Sequence, residues 1–499
     1  MKKSIGLVMG ILATGTAAML LVQCKSNHAD GQQSTSGMAV TVHLDEERQV
    51  IDGFGVSEAD WADDVFIFPK RDEVLDRLFS KDGLALNILR GEVFPHYSPD
   101  SLHFDFATES DISDETVQNA AELERNDLLR RGQYWLSSEV AQKYPDVRFM
   151  FTTWSPPAWM KEGGHATELY PASHGSLMKS HYQSFADYLT LFYKEFQKKG
   201  IDIYAISPSN EPGYAAPWNS CIWTPQQMGE FIHDYLLPTF EKNGVDAKVI
   251  FGENPSWSVT SEKFHNISSE LFVNAVLEAY PDLDKEEVIA GGHGYELPDY
   301  LPLPAEEKQN PIIPFKAAYD KGIHMWVTEM SDINSVTLSM ADGLHWASAF
   351  SDYLMDAHVS AILWWLGAQP TTTNESLIVL NNEEETYAEA KRFDAMGNYS
   401  RYIQPGSICI GCESEDLPEG VKVAAFKKDK EYTLVIVNPE KEEIELTLSL
   451  DGGKIRSDLN SYTTTADLQW QEGKVSRTGG KYILTLPAES VVTYTGNFR

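Results

Sequence analysis

Cysteine is scarce, at four residues in a chain of 499, so a disulfide-built scaffold is excluded and an apolar core must carry the fold. One close pair exists, Cys409-x-x-Cys412, without the second ligand pair of a zinc site. It reads as a local disulfide or as two inert thiols, and neither a metal nor a cofactor is expected. Positive charge is short as well: 40 Lys and Arg stand against 74 Asp and Glu, a formal net charge of −34. Such a chain repels nucleic acid and anionic lipid headgroups, which favours a neutral partner. The same acidity also serves plain solubility, so it selects no substrate. Past residue 22 no apolar run reaches the roughly 18 residues of a membrane helix.

The N-terminus holds what the rest lacks. Lys2 and Lys3 precede an apolar stretch over residues 5–22 and then Cys24, the pattern of an export signal over 1–24. Leu21-Val22-Gln23-Cys24 resembles a bacterial lipoprotein processing site, with Gln23 where a small residue is usual. Lipidation of Cys24 is expected; a plain cleaved signal or an uncleaved anchor is the other reading. The chain is therefore expected to be an exported bacterial protein, periplasmic or held at the outer membrane or cell surface, and monomeric. Membrane contact would come only through that anchor. Residues 25–38 are Ser, Gln, Asn and Gly with little to bury, hence a flexible tether.

The run 39–44 alternates like a half-buried strand. From 51 to about 400, short apolar runs alternate with helix-length amphipathic stretches such as 182–198 and 225–243. The runs fall at 51–56, 84–89, 147–152, 203–207, 247–251, 288–290, 323–327 and 359–365. Alternation of this kind implies an α/β fold with a parallel sheet, and eight units close it into a (β/α)8 TIM barrel over 51–404. After Pro405-Gly406 the helical rhythm stops. Alternating runs at 421–426, 432–437, 444–450 and 482–486, joined by Gly, Asp and Lys turns, predict an antiparallel β-sandwich side domain over 405–499. A strand at 39–50 has no partner in a barrel that starts at 51, so both chain ends are expected to build that side domain.

Barrel chemistry sits at the carboxyl ends of strands. Two runs end there in a glutamate, Ile206-Ser207-Pro208-Ser209-Asn210-Glu211-Pro212 and Trp326-Val327-Thr328-Glu329-Met330. Breaking an acetal needs a proton for the leaving oxygen and negative charge beneath the anomeric carbon, which two carboxyl groups on strands four and seven would supply. Either glutamate alone would pass for a solvated loop carboxylate. Arg90 ends the second run, and Tyr295 follows the sixth in Gly292-His293-Gly294-Tyr295; both are candidate donors to an ionised Glu329, or else buried structural groups. Trp154, Trp159 and Trp365 stand at strand ends or turns, where an indole can stack on a sugar ring or simply fill core. Trp218 and Trp223, flanking Cys221 after Glu211, suggest subsite walls. Glu92, Glu253 and Asp332 are expected to support or bind, with no catalytic role.

With those residues in place the chain resembles glycoside hydrolase family 30 along nearly its whole length. The landmarks are Asp52-Gly53-Phe54-Gly55, Trp154-Ser155-Pro156-Pro157-Ala158-Trp159-Met160-Lys161, Ser209-Asn210-Glu211-Pro212, Trp326-Val327-Thr328-Glu329, Leu363-Trp364-Trp365 and Gly397-Asn398-Tyr399-Ser400-Arg401-Tyr402. The resemblance implies Glu211 as acid/base and Glu329 as nucleophile of a retaining mechanism, with Asn210 on the sugar 2-hydroxyl. His293, with Arg90, Tyr295 and the three indoles, joins the expected substrate-binding set. The family includes xylanases, β-1,6-galactanases, β-1,6-glucanases and glucosylceramidases. Glucuronate-reading xylanases carry an arginine after strand eight, where this chain has Leu366-Gly367-Ala368-Gln369-Pro370-Thr371. Gly132-Gln133-Tyr134-Trp135 and Asp342-Gly343-Leu344-His345-Trp346 lean to the xylanase and β-1,6-galactanase branches, with xylan ahead. An inactive carbohydrate-binding surface lipoprotein is the reading from another class.

Overall fold

The computed structural model describes residues 37–58, 61–95, 125–164, 172–198, 200–295 and 310–499, the side chains of 125–131 excepted. The expected signal, Cys24 and nearly all of the tether lie outside the described residues. Eight parallel strands form the barrel: Gly53–Ser57, Ile88–Glu92, Arg148–Thr152, Ile203–Ser207, Lys248–Gly252, Val288–His293, Met325–Glu329 and Ala361–Gln369. Closure occurs at Ala361, which stands opposite both Trp326 and Gly53. The strands are buried on both faces, which is why their sequences are apolar runs rather than alternations. Ile88, Met150, Ile250, Ile289, Trp326 and Leu363 plug the interior. At the amino end, the Trp326 indole donates to Asp52 Oδ2 at 2.8 Å and His324 Nδ1 lies 2.6 Å from the same oxygen. Polar side chains thus cap that end, while barrel chemistry is expected at the carboxyl end.

Most expected runs match strands within a few residues, but the second does not. Residues 81–84 form a turn and 85–87 run irregularly, with Ala85 in the left-handed region at φ 53°, and the strand begins at Ile88. Leu84 and Leu86 are buried beneath helix Arg71–Phe79, bonding to the Arg77 and Leu78 carbonyls instead of a ladder. An apolar run was therefore packing, not pairing, and Arg90 lies inside the strand rather than at its end. The expected helix 225–243 begins with a capping box between Thr224 and Gln227 and a proline in the first turn. It passes through a π-helical turn at Phe231–Leu236 just before Pro238, where a residue without an N–H disturbs the i→i−4 ladder.

The side domain is a nine-stranded sheet in the order Gln471–Val475, Leu459–Thr464, Ser490–Asn497, Glu431–Asn438, Lys422–Lys428, Ile408–Glu415, Ala39–Val50, Ile444–Asp451, Tyr482–Leu486. It folds over one core, Val42, Ile410, Leu434, Leu446, Leu484 and Tyr494 among its members. The Tyr494 hydroxyl donates across it to the Thr485 carbonyl at 2.7 Å. The N-terminal strand lies between Ile408–Glu415 and Ile444–Asp451, so both chain ends contribute. One expectation is corrected: the pairing with Ile444–Asp451 is parallel, because that strand enters from the far end of the chain instead of a hairpin. Cys409 and Cys412 are free thiols, not a disulfide, and Cys221 is free and buried.

Candidate active site

Glu329 is the last residue of strand seven, and Glu211 follows strand four by four residues. The loop that delivers Glu211 is tightly held: Asn210 N donates to the Thr153 carbonyl at 2.7 Å and Glu211 N to the Glu253 carbonyl at 3.0 Å. Glu211 and Glu253 both occupy the left-handed region, at φ 48° and 42°. Such backbone costs roughly 1–3 kcal/mol each and survives only where the surroundings enforce it. Both glutamates of the pair are at least nine-tenths buried, and with His293 they bring one ligand atom each within 4.8 Å of one another.

Arg90 organises the floor. Its side chain is fully buried; Nη1 donates to Glu329 Oε2 at 2.8 Å, and Nη2 to Asn210 Oδ1 at 2.7 Å and Glu253 Oε1 at 3.3 Å. Because Asn210 turns its carbonyl to Arg90, its NH2 group is left for a sugar hydroxyl. The Tyr295 hydroxyl donates to the other Glu329 oxygen at 2.6 Å. His293 Nδ1 stands 3.5 Å from Glu211 Oε1 and Nε2 3.7 Å from Glu329 Oε2. Burial, reinforced by Arg90, holds the imidazole pKa well below its ordinary value, so it lies between the acids as a neutral ring.

The two carboxyls differ in what opposes burial. For Glu211, burial and then the charge of Glu329 raise the pKa, to about 8, against the pull of Arg90. For Glu329, burial raises it to about 7, against Arg90 and the Tyr295 hydrogen bond. Arg90 and Tyr295 donate to Glu329 while Glu211 Oε2 has no hydrogen-bond partner among the described residues, which favours the negative charge on Glu329 and a shared proton on Glu211. A divalent ion placed among Glu211, His293 and Glu329 would compete with the guanidinium already bonded to Glu329, so the cluster reads as an acid pair, not a metal centre.

The structure brings Glu211, Glu329, Asn210, Arg90, His293 and Tyr295 together, with two of the three expected indoles. Trp154 and Trp365 lie with ring centroids 6.2 Å apart, and the Arg90 guanidinium stands 4.8 Å from the Trp154 ring. Trp159 is not joined to them by any described ring contact: it packs edge-on against His181 at 5.2 Å. Trp223 is buried among Tyr182, Phe185 and Phe231, so it is core and not a subsite wall. Glu253, expected as support, sits deep in the floor, where Thr152 Oγ1 donates to it at 3.2 Å. Thr152 went unnoticed, although a polar residue ending the apolar run 147–152 was its signal.

The sequence model described as O-glycosyl hydrolase family 30 matches residues 37–379, and one described as the family's beta sandwich domain matches 406–494. The chain belongs to glycoside hydrolase family 30. This family 30 enzyme is thus a hydrolase of glycosidic bonds, of a family in which retention is typical. It is 25% identical over 464 residues to the glucuronoxylanase XynC of Bacillus subtilis, covering 92% of each chain. It is 22% identical over 446 residues to a putative glucosylceramidase 4 of Caenorhabditis elegans, covering 83% of this chain and 80% of that one. Its fold matches the catalytic domain of a family 30 xylanase C from Talaromyces cellulolyticus with a TM-score of 0.71, at 22% identity over 92% of this chain and 100% of that one.

Proposed function

We propose that this hydrolase is an endo-acting β-xylanase working by double displacement, with Glu211 as acid/base and Glu329 as nucleophile. The observation that carries the reading is the buried carboxyl pair with atoms within 4.8 Å, compatible with the roughly 5–5.5 Å carboxyl separation of retaining enzymes and too close to admit the water of an inverting one. Glu211 gives its proton to the glycosidic oxygen as Glu329 attacks the anomeric carbon. The glycosyl ester then meets a water that Glu211 deprotonates, and Glu329 leaves. Arg90 and Tyr295 keep Glu329 anionic and oriented, and the Asn210 amide donates to the 2-hydroxyl, a contact that strengthens as positive charge grows on the ring.

Support for xylan comes from similarity to a glucuronoxylanase across 92% of the chain. The absence of arginine in 366–371 argues for unsubstituted stretches over glucuronate-marked ones. The test is reducing-end release from xylan, glucuronoxylan, β-1,6-galactan and β-1,6-glucan, with the anomer of the first product read by NMR. The expected result is cleavage of xylan with retained configuration, and loss of at least about 10³-fold in Glu329→Gln. Preferential cleavage of either β-1,6-linked polymer would replace the substrate. An inverted product or turnover retained in Glu329→Gln would overturn the mechanism, and inactivity on all four would favour a carbohydrate-binding protein.

A further inference from the structure

The loop leaving Glu211 is fixed at both feet and bare at its crest. At the first foot, Gly213 N donates to Asn254 Oδ1 at 2.7 Å and Asn266 Nδ2 to the Gly213 carbonyl at 2.9 Å. A Cβ on Gly213 would lie 1.6 Å from the Asn266 carbonyl oxygen, so the foot accepts only glycine. At the second foot, the buried ammonium of Lys161 donates to the Ser220 carbonyl at 2.7 Å and Ala172 N donates to Asn219 Oδ1 at 3.2 Å. Between the feet stand Tyr214 and Trp218, 39% and 37% exposed, with ring centroids 6.0 Å apart at 66°. The fold does not use these rings for its core, and an anchored backbone has already lost the freedom that would let them collapse onto it. From Pro212 to Ser220 the loop carries no charged residue.

We propose that Tyr214 and Trp218 form a binding platform for uncharged sugar rings on the leaving-group side of the scissile bond. The inference rests on the reading of Glu211 as the acid. The group that protonates the leaving oxygen lies beside the departing sugars, and Tyr214 N donates to the Glu211 carbonyl at 2.9 Å, so the platform and the acid share one turn. The Trp154 and Trp365 pair lies instead on Arg90, against the nucleophile. One aromatic pair thus lies on Arg90 and the other on the loop that leaves Glu211, and the first is assigned to the retained and the second to the departing part of the chain. Sugar C–H faces stack on such rings, and the lack of charge in the loop selects neutral polymers over uronate-rich ones.

The test compares kcat/KM on the polysaccharide that the wild type cleaves with that on an aryl glycoside of the same sugar, whose leaving group carries no sugar ring. In Trp218→Ala the ratio of the two falls about 2- to 12-fold, the loss of one stacking ring, and transfer to added oligosaccharide acceptors falls with it. Tyr319→Ala, which removes an exposed ring from helix Lys316–Lys321, leaves the ratio unchanged. A ratio unchanged in Trp218→Ala overturns the platform. Should the wild type cleave none of the four polymers, the acid/base reading fails separately. The platform is then judged by affinity electrophoresis in gels of those polymers: retardation lost in Trp218→Ala supports it, and retardation equal to wild type overturns it.

Discussion

At the residue scale the sharpest consequence is electrostatic. Glu211 has a folded pKa of about 8, far above the unfolded value near 4.3. Between those limits the folded state binds more protons than the unfolded one, so stability falls as pH rises through the window. In the proposed mechanism this proton goes to the leaving oxygen, so activity is expected to decline on the alkaline side as Glu211 ionises beside Glu329. Glu211→Gln has no proton to lose. Its Tm advantage over wild type is expected to be small near pH 5 and to grow steadily toward pH 8, followed by thermal unfolding across that range. A difference that stays flat with pH would show that Glu211 is not buried with a raised pKa.

At the scale of elements, the hairpin Lys161–Gly164 with His174–Leu177 shows how one side chain holds several loops. The Lys161 ammonium donates to the Ala172 and His174 carbonyls, each at 2.6 Å, as well as to Ser220. Burial pushes its pKa down to about 8, so the charge is costly to hold and is kept for its donors. Lys161→Met keeps the stem and removes the donors, which leaves up to three carbonyls short of a partner. The expected loss is about 2–4 kcal/mol in unfolding free energy, measured by urea titration. An unchanged midpoint would mean that the hairpin and the loop after Glu211 are held without it.

The barrel strands were legible because burial on both faces makes each an apolar run. The same signal misled at 84–89, since a turn packed under a helix is equally apolar. The hairpin Ser376–Asn381 with Thr386–Glu389, hydrogen-bonded onto strand eight, escaped notice inside the barrel region. In the side domain, strands Ile408–Glu415, Leu459–Thr464, Gln471–Val475 and Ser490–Asn497 were missed because glycine, threonine and charge interrupt their alternation. The acids were readable from their place at strand ends. Trp223 and Trp218 were not separable in sequence: both follow Glu211 closely, and only tertiary packing sends one into the core and leaves the other on the surface.

At the scale of the whole molecule, the side domain is joined to the barrel by buried polar contacts that resist sliding. Helix Lys391–Ser400, the last of the barrel, carries Asn398, whose Nδ2 donates to the Tyr462 carbonyl and Thr493 Oγ1, both at 3.1 Å. Thr464 Oγ1 donates to its Oδ1 at 2.6 Å. Beside it, the Trp470 indole donates to the Asp394 carbonyl at 2.7 Å and fills the space where a Cβ on Gly397 would stand. The chain crosses between the two parts twice, from Val50 to Gly53 and again between Ser400 and Ile408. Asn398→Ala strands buried groups on both sides at once, with an expected cost of roughly 2–4 kcal/mol. Both parts should still unfold in one transition, shifted to lower temperature, with far-ultraviolet dichroism and tryptophan fluorescence changing together. Separation of the two probes into distinct transitions would show that the side domain is an appendage, and would remove the reason for both chain ends to meet in it.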